Sequence, residues 1–444
     1  MTPARLTDPD SAAILSRKKR LIKYIWFRVE LREYDCNSCD PEEEEYWGLS
    51  RADDKLIMDG FENLLWALIA WEDGDELTLD ISVYSPSDTQ HWFKYLSFHP
   101  DTHRGECSPL QRNGHYQGTP IDDPDHGWVA GRQTSTPDWY AVDILFERIM
   151  GQGPFRTETQ EKNWWQTLPL VPAVTTVLLR QQTRRRWKPV TLKHMLERFP
   201  NMKELCYEPW REWDRELVRL TNIESESLVE MFATTRLSNL AIFENFHRSY
   251  PPSWINQFAR RPSPVVSRKI AKVSLKLVTL SACFITDASY FFEAREESWN
   301  WENLTSLALT SKLLTHDVDA ASINEMLRLA AEAALHMPKL EVMELWNGRE
   351  RVAMLFRYQK AKNGQSAVIT VRGTFQLALD PEVIEAWNAV ATQLGHGWVD
   401  IQSSIINPNT IRSHGDAIRQ LGLSTQVVRP VSLQQILDEH EDRA

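Results

Sequence analysis

Six times between residues 174 and 345 the chain places three apolar side chains at relative positions 0, 3 and 5. The sets are Val174/Val177/Leu179, Met202/Leu205/Tyr207, Leu237/Leu240/Ile242, Leu277/Leu280/Ala282, Leu304/Leu307/Leu309 and Leu340/Met343/Leu345. Positions 3 and 5 differ by two residues, the period of a strand with one buried face. Helical spacing precedes two of the sets: Leu192, Met195, Leu196 and Phe199 form one stripe, and Ile323, Met326, Leu327, Ala330 and Ala334 another. Ser322 and Glu325 predict a capping box at the start of the second. Pro200 and Pro338 then end these helices and send the backbone into extended geometry. The sets start 28, 35, 40, 27 and 36 residues apart, enough for one helix and one strand per unit.

Such a unit cannot bury its apolar face alone, so neighbours must stack to make a core. The layout of helix, Phe or Met, Pro, then apolar residues at those offsets resembles irregular leucine-rich repeats, and more specifically the long, divergent repeats of fungal F-box-like proteins. The resemblance covers about residues 170–350, and Arg17 to Leu31 is similar to the segment that follows the F-box in them. It implies an α/β fold, an irregular leucine-rich-repeat-like solenoid with a curved parallel sheet and outer helices. It also implies a substrate receptor or scaffold linked to a ubiquitin ligase. The Leu-Pro-x-Glu opening of an F-box is absent and only about 20 residues precede the first expected strand, so the adaptor-binding module is expected to be missing or truncated.

Outside the repeats the chain divides into an arm at 1–18, an N-terminal α/β region at 19–165, the repeat region at 166–365 and a C-terminal α/β cap at 366–444. The arm reads as loose and flexible. Ile25, Phe27, Val29 and Leu31 alternate as one strand and Leu77 to Val83 as another, with a helical stripe over 56–71 between them. A helix is expected around Trp139 to Met150, although residues 85–165 have little period. In the cap, Ala367–Val371 and Val399–Ile406 read as strands, Asp380-Pro381 starts a helix, and Val431–Glu439 forms the last one.

The residues between offsets 3 and 5 project from the other face of the sheet: Leu178, Cys206, Ala241, Ser281, Ala308 and Glu344. Most are small or apolar, so this concave face is either covered by another part of the chain or is an apolar site for a partner. One position past offset 5 stand Arg180, Glu208, Phe243 and Trp346, the candidate partner-binding residues. The two aromatics are the natural anchors.

Charge and motifs narrow the function. The chain has 50 Lys and Arg against 61 Asp and Glu, a net charge of −11 that argues against nucleic acid as partner. Its densest apolar run, Leu64 to Trp71, is too short to span a bilayer. Five cysteines fit a reducing intracellular compartment, cytoplasmic or nuclear. There are only 17 Gly, and no phosphate-cradling glycine loop, so no cofactor is expected. Cys36-Asn37-Ser38-Cys39 has metal-site spacing without a nearby second pair and reads as two loop cysteines. Ser85, Asp88 and His91 are too crowded for a hydrolase triad. Arg17 to Arg20 resembles a nuclear-localisation string. Arg184-Arg185-Arg186-Trp187-Lys188 reads as a solvated loop or a convex surface pairing with acidic neighbours, and Arg260 to Pro264 as an exposed, modifiable loop.

A non-catalytic protein-interaction protein follows, with a protein partner and no catalytic, cofactor or metal residue assigned. The alternative is an enzyme or small-molecule binder with its pocket between the N-terminal region and the repeat sheet.

Overall fold

Leu205 and Tyr207, Leu240 and Ile242, Leu280 and Ala282, Leu307 and Leu309, and Met343 and Leu345 share one hydrophobic cluster in the computed structural model of the chain. The residues at offset 0, from Val174 to Leu340, lie in the same cluster. The structure describes residues 1–36, 51–71, 74, 76–101, 121–151, 153–247, 259–360, 366–395 and 397–441.

The side chains at offsets 3 and 5 sit on one eleven-stranded sheet whose spatial order is its sequence order. Its strands are β1 (Tyr24–Glu30), β2 (Leu77–Tyr84), β3 (Val174–Leu179), β4 (Glu204–Tyr207), β5 (Asn239–Phe243) and β6 (Thr279–Cys283). β7 (Ser306–Thr310), β8 (Val342–Arg349), β9 (Val352–Gln359), β10 (Ala367–Gly373) and β11 (Val399–Ile405) complete it. Strands β1 to β8 pair in parallel, β8 to β10 antiparallel, and β11 returns parallel to β10. The sheet crosses the boundaries read at residues 165 and 365 without a break.

Parallel neighbours need long crossovers, and helices supply them. The chain runs α1 (Pro3–Thr7), α2 (Pro9–Lys18), α3 (Arg51–Leu68), α4 (Trp139–Leu145), α5 (Glu158–Thr167), α6 (Pro189–Leu196), α7 (Arg215–Thr234), α8 (Pro264–Ser274), α9 (Ala288–Glu293) and α10 (Ala320–Ala334). α11 (Pro381–Gln393), α12 (His414–Leu421) and α13 (Pro430–Glu441) follow. α3 and α5 to α11 bury their stripes on one side of the sheet, among them Phe61, Leu192, Phe232, Ile270, Leu327 and Trp387. Proline opens α6, α8 and α11, where its missing N–H costs nothing. α10 begins earlier than the expected capping box: Asp319 is its N-cap and accepts the Ser322 N–H at 2.8 Å. Two of the tryptophans in this core have their indole N–H groups satisfied. Trp387 donates to the Leu327 carbonyl at 3.2 Å, and Trp301 to Ser274 Oγ at 2.6 Å.

Two expectations change. The arm expected to be loose is helical through α1 and α2, because Asp8 caps α2 and proline opens both helices. Its first residue is tied to β1: the Met1 ammonium donates to the Trp26 carbonyl at 2.5 Å, and the Arg28 N–H to the Met1 carbonyl at 2.8 Å. The C-terminal region is more than an end cap. β10, α11 and β11 extend the sheet, but residues from Ile406 turn back and lay α12 and α13 across the opposite face.

Leu307 is fully buried between sheet and helices. Leu307→Ala should therefore lower unfolding stability by about 2–5 kcal/mol, read as a lower denaturation midpoint with an unchanged slope in urea.

Candidate functional site on the inner face of the sheet

Strand register stacks the side chains of the face opposite the helices into rows. Glu204, Asn239, Thr279 and Ser306 form the first, and Cys206, Ala241, Ser281, Ala308 and Glu344 the second. Phe243 beside Cys283, and Thr310 beside Trp346, form the third. The small second row lets chain approach the sheet closely. Val427, Val428 and Ile436 from the returning segment pack with Phe243, Ala308 and Trp346 in a second hydrophobic cluster. Gly348 marks a close approach, since a Cβ there would stand 2.5 Å from Ala417 Cβ on α12.

Two buried carboxylates hold this strap by its main chain. Glu344 accepts the Ser424 N–H at 2.8 Å, the Ser424 hydroxyl at 3.0 Å and the Thr425 N–H at 2.9 Å. Glu208 accepts the Arg429 N–H at 2.6 Å, the Gln181 N–H at 3.1 Å and the Ser432 hydroxyl. Burial pushes the Glu208 carboxyl up, and these donors pull it back toward the ionised form. Further along, Gln181 Nε2 donates to the Ser432 carbonyl at 2.7 Å, and Arg184 pairs with Glu439 on α13. The Arg429 side chain pairs with Asp101 at 2.5 Å, joining the strap to the N-terminal region. His414 Nε2 lies 2.7 Å from Asn245 Oδ1.

Of the four candidate partner-binding residues, Glu208, Phe243 and Trp346 belong to this closed interface and Arg180 is buried against the N-terminal region, each at most 3% exposed. Arg180 pairs with Asp80 at 2.8 Å and donates to the His99 carbonyl at 2.9 Å. Glu208 holds the strap. Phe243 stacks on His414, and Trp346 meets Phe284 edge to face. Of the two readings of the concave face, coverage by another part of the chain is the one observed at these four positions.

The basic run is likewise not a solvated loop. Arg184, Arg185 and Arg186 are buried and pair with Glu439, Asp88 and Glu212. Arg184 lies 4.1 Å over the Trp210 ring and Arg186 4.4 Å over that of Trp213. Arg260, placed in an exposed loop by the sequence, is buried against Glu244, and Ser263 caps α8. Ser85 and Asp88 form a capping box, with Asp88 bound to Arg185, so they do not assemble with His91 as a triad.

A cleft of about 290 Å³ remains between the strap and the polar first row, lined by Glu204, Asn239, Thr279 and Ser306 and by Thr425 and Gln426. It lies against the C-terminal segment, not the N-terminal region. Cys206 on its floor is buried, which pushes the thiol well above its ordinary range and makes it a poor nucleophile.

Two clusters of metal-type ligands occur among the described residues. Cys36 lies with His91 and His126, and His247 with Glu439 and His440. In the second, the Glu439 carboxylate is already taken by Arg184. The sequence reading missed His91 and His126 as partners of Cys36 because they lie 55 and 90 residues away from it. Cys39 lies outside the described residues.

Residues 232–429 match a family of unknown function, DUF6546. No curated protein matches the chain. The matched stretch runs from the end of α7 to Arg429, so it contains the strands from β5 onward and the strap as far as its contact with Glu208.

Glu344→Gln would set an amide NH2 against the strap's donors. About 1–3 kcal/mol of stability should be lost, and amide exchange over residues 424–429 should quicken while β6 and β7 stay protected. Equal protection of the strap in both proteins would show that Glu344 does not hold it.

Proposed function

We propose that the chain is a non-catalytic protein-interaction protein, an irregular leucine-rich-repeat-like solenoid related to F-box receptors. Its partner is a protein that lays an extended segment along the open rim of the inner face. The observation that supports this most is the way the face holds its own strap, through carboxylates that accept main-chain N–H groups. Recognition through the main chain suits an extended segment, with small pockets adding selectivity for side chains. The first row beside the strap offers such a pocket, at the lower size limit for small-molecule sites.

Strand order that follows the sequence, with a helix in each crossover from β3 to β8, supports the solenoid reading. The described cysteines Cys36, Cys206 and Cys283 form no disulfide, which fits a reducing intracellular location, cytoplasmic or nuclear. No described helix is long and apolar enough to cross a membrane. A ubiquitin-ligase adaptor is the partner that the F-box resemblance implies.

Partner capture from a cell extract, read by mass spectrometry, tests the reading with wild type and an Asn239→Arg, Thr279→Arg double variant. One or more proteins should be lost from the variant while its thermal midpoint is unchanged. Recovery of the same set by both would place any interaction away from the rim. Reproducible absence of a cullin-type ligase and its adaptor from both would remove the ubiquitin link.

A further inference from the structure

Three segments far apart in sequence converge at Cys36, just after β1, at His91, after β2, and at His126, in a short turn. Cys36 Sγ lies 3.7 Å from His91 Nδ1, and His91 Nδ1 lies 3.3 Å from His126 Nε2. Both histidines are buried.

The outer contacts of the two rings decide which nitrogens carry protons. His126 Nδ1 stands 2.9 Å from Asp123 Oδ2, and an ionised carboxylate only accepts, so that nitrogen is the donor. Lys94 holds the same oxygen at 2.7 Å and keeps the carboxylate in place. His91 Nε2 stands 3.3 Å from the Tyr34 carbonyl, which also only accepts. In neutral rings the inner nitrogens, His91 Nδ1 and His126 Nε2, are then both bare lone pairs, and they face each other. Two acceptors at this distance repel unless something positive lies between them. Outer N–H groups given to a carboxylate and to a backbone carbonyl are the arrangement that metal-ligating histidines adopt.

We propose that Cys36, His91 and His126 bind a zinc ion that ties these three segments together. The spacing fits. A tetrahedral zinc with bonds of about 2.0–2.1 Å to nitrogen and about 2.3 Å to sulfur sets N···N near 3.3 Å and N···S near 3.6 Å. The thiol proton of Cys36 leaves to solvent as the zinc–sulfur bond forms, so binding weakens as pH falls. A single proton shared between the two imidazoles is the competing account of their approach, and it gives the thiol no role. The cluster of His247, Glu439 and His440 is the weaker candidate because the Arg184 guanidinium beside Glu439 repels a cation.

The test uses the full chain without a histidine tag, its metal content by mass spectrometry, and cobalt(II) as spectroscopic probe. The wild type should hold one zinc ion, and cobalt should give tetrahedral d–d bands with thiolate charge transfer. Cys36→Ser should lose the charge transfer, and Cys206→Ser should keep it. Asp123→Asn, which leaves all three ligands, should weaken zinc binding about 10–100-fold. His126→Cys serves if removing a ligand prevents folding: retained metal with stronger charge transfer supports the site. Stripping the metal should lower the thermal midpoint, and zinc should restore it. A reconstituted wild type without stoichiometric metal overturns the proposal. So does thiolate charge transfer that survives Cys36→Ser, or a cobalt spectrum abolished by His440→Ala alone.

Discussion

Desolvation of charge on the inner face governs how this molecule is put together. Glu208, Glu344 and Arg180 sit where a parallel sheet would ordinarily carry apolar side chains, and each is nearly or fully buried. A buried charge without partners is costly, and removing one member of a buried pair leaves a penalty of about 3–5 kcal/mol. The chain meets this requirement by bringing its own distant segments to the sheet. Asp80 and the His99 carbonyl come to Arg180, and residues 424 to 432 come to the two glutamates. The strap's position is thus dictated by what the sheet needs as much as by apolar contact.

The same logic explains the arginine run. Three consecutive arginines look like a hydrated surface in sequence, yet each is taken by an acid from a different part of the chain. Arg185 reaches Asp88 before it, Arg186 reaches Glu212 shortly after, and Arg184 reaches Glu439 near the end of α13. Flat guanidinium groups also stack on Trp210 and Trp213, so these tryptophans serve buried cations and not only the apolar core.

The helix-facing half of the fold was legible because its signals are local and periodic. A two-residue alternation at Leu307 and Leu309, or a stripe such as Ile323, Met326 and Leu327, reports which face is buried without reference to the partner. The inner half was not legible, because its determinants are pairings across long separations. Glu208 and Ser432 lie 224 residues apart, and Arg184 and Glu439 lie 255 apart. Nothing in the spacing around Glu208 tells a strap ligand from a partner ligand. The one available hint was the row Cys206, Ala241, Ser281 and Ala308, whose small size already asked for something to lie against it. Asp123, His91 and His126 escaped for a similar reason, since they sit in a stretch with little period.

The returning strap also sets an order of events during synthesis. The 36 residues from Ile406 to Glu441 emerge after all eleven strands. At about 5–20 residues per second, translation leaves the finished sheet without them for about 2–7 s. Through that interval the helix side can already be packed while Glu208 and Glu344 keep their water. A nascent chain of this kind is therefore half dry and half hydrated, and closure of the strap expels water from charges. Until the strap closes, the acidic inner face is the side of the sheet left open to water.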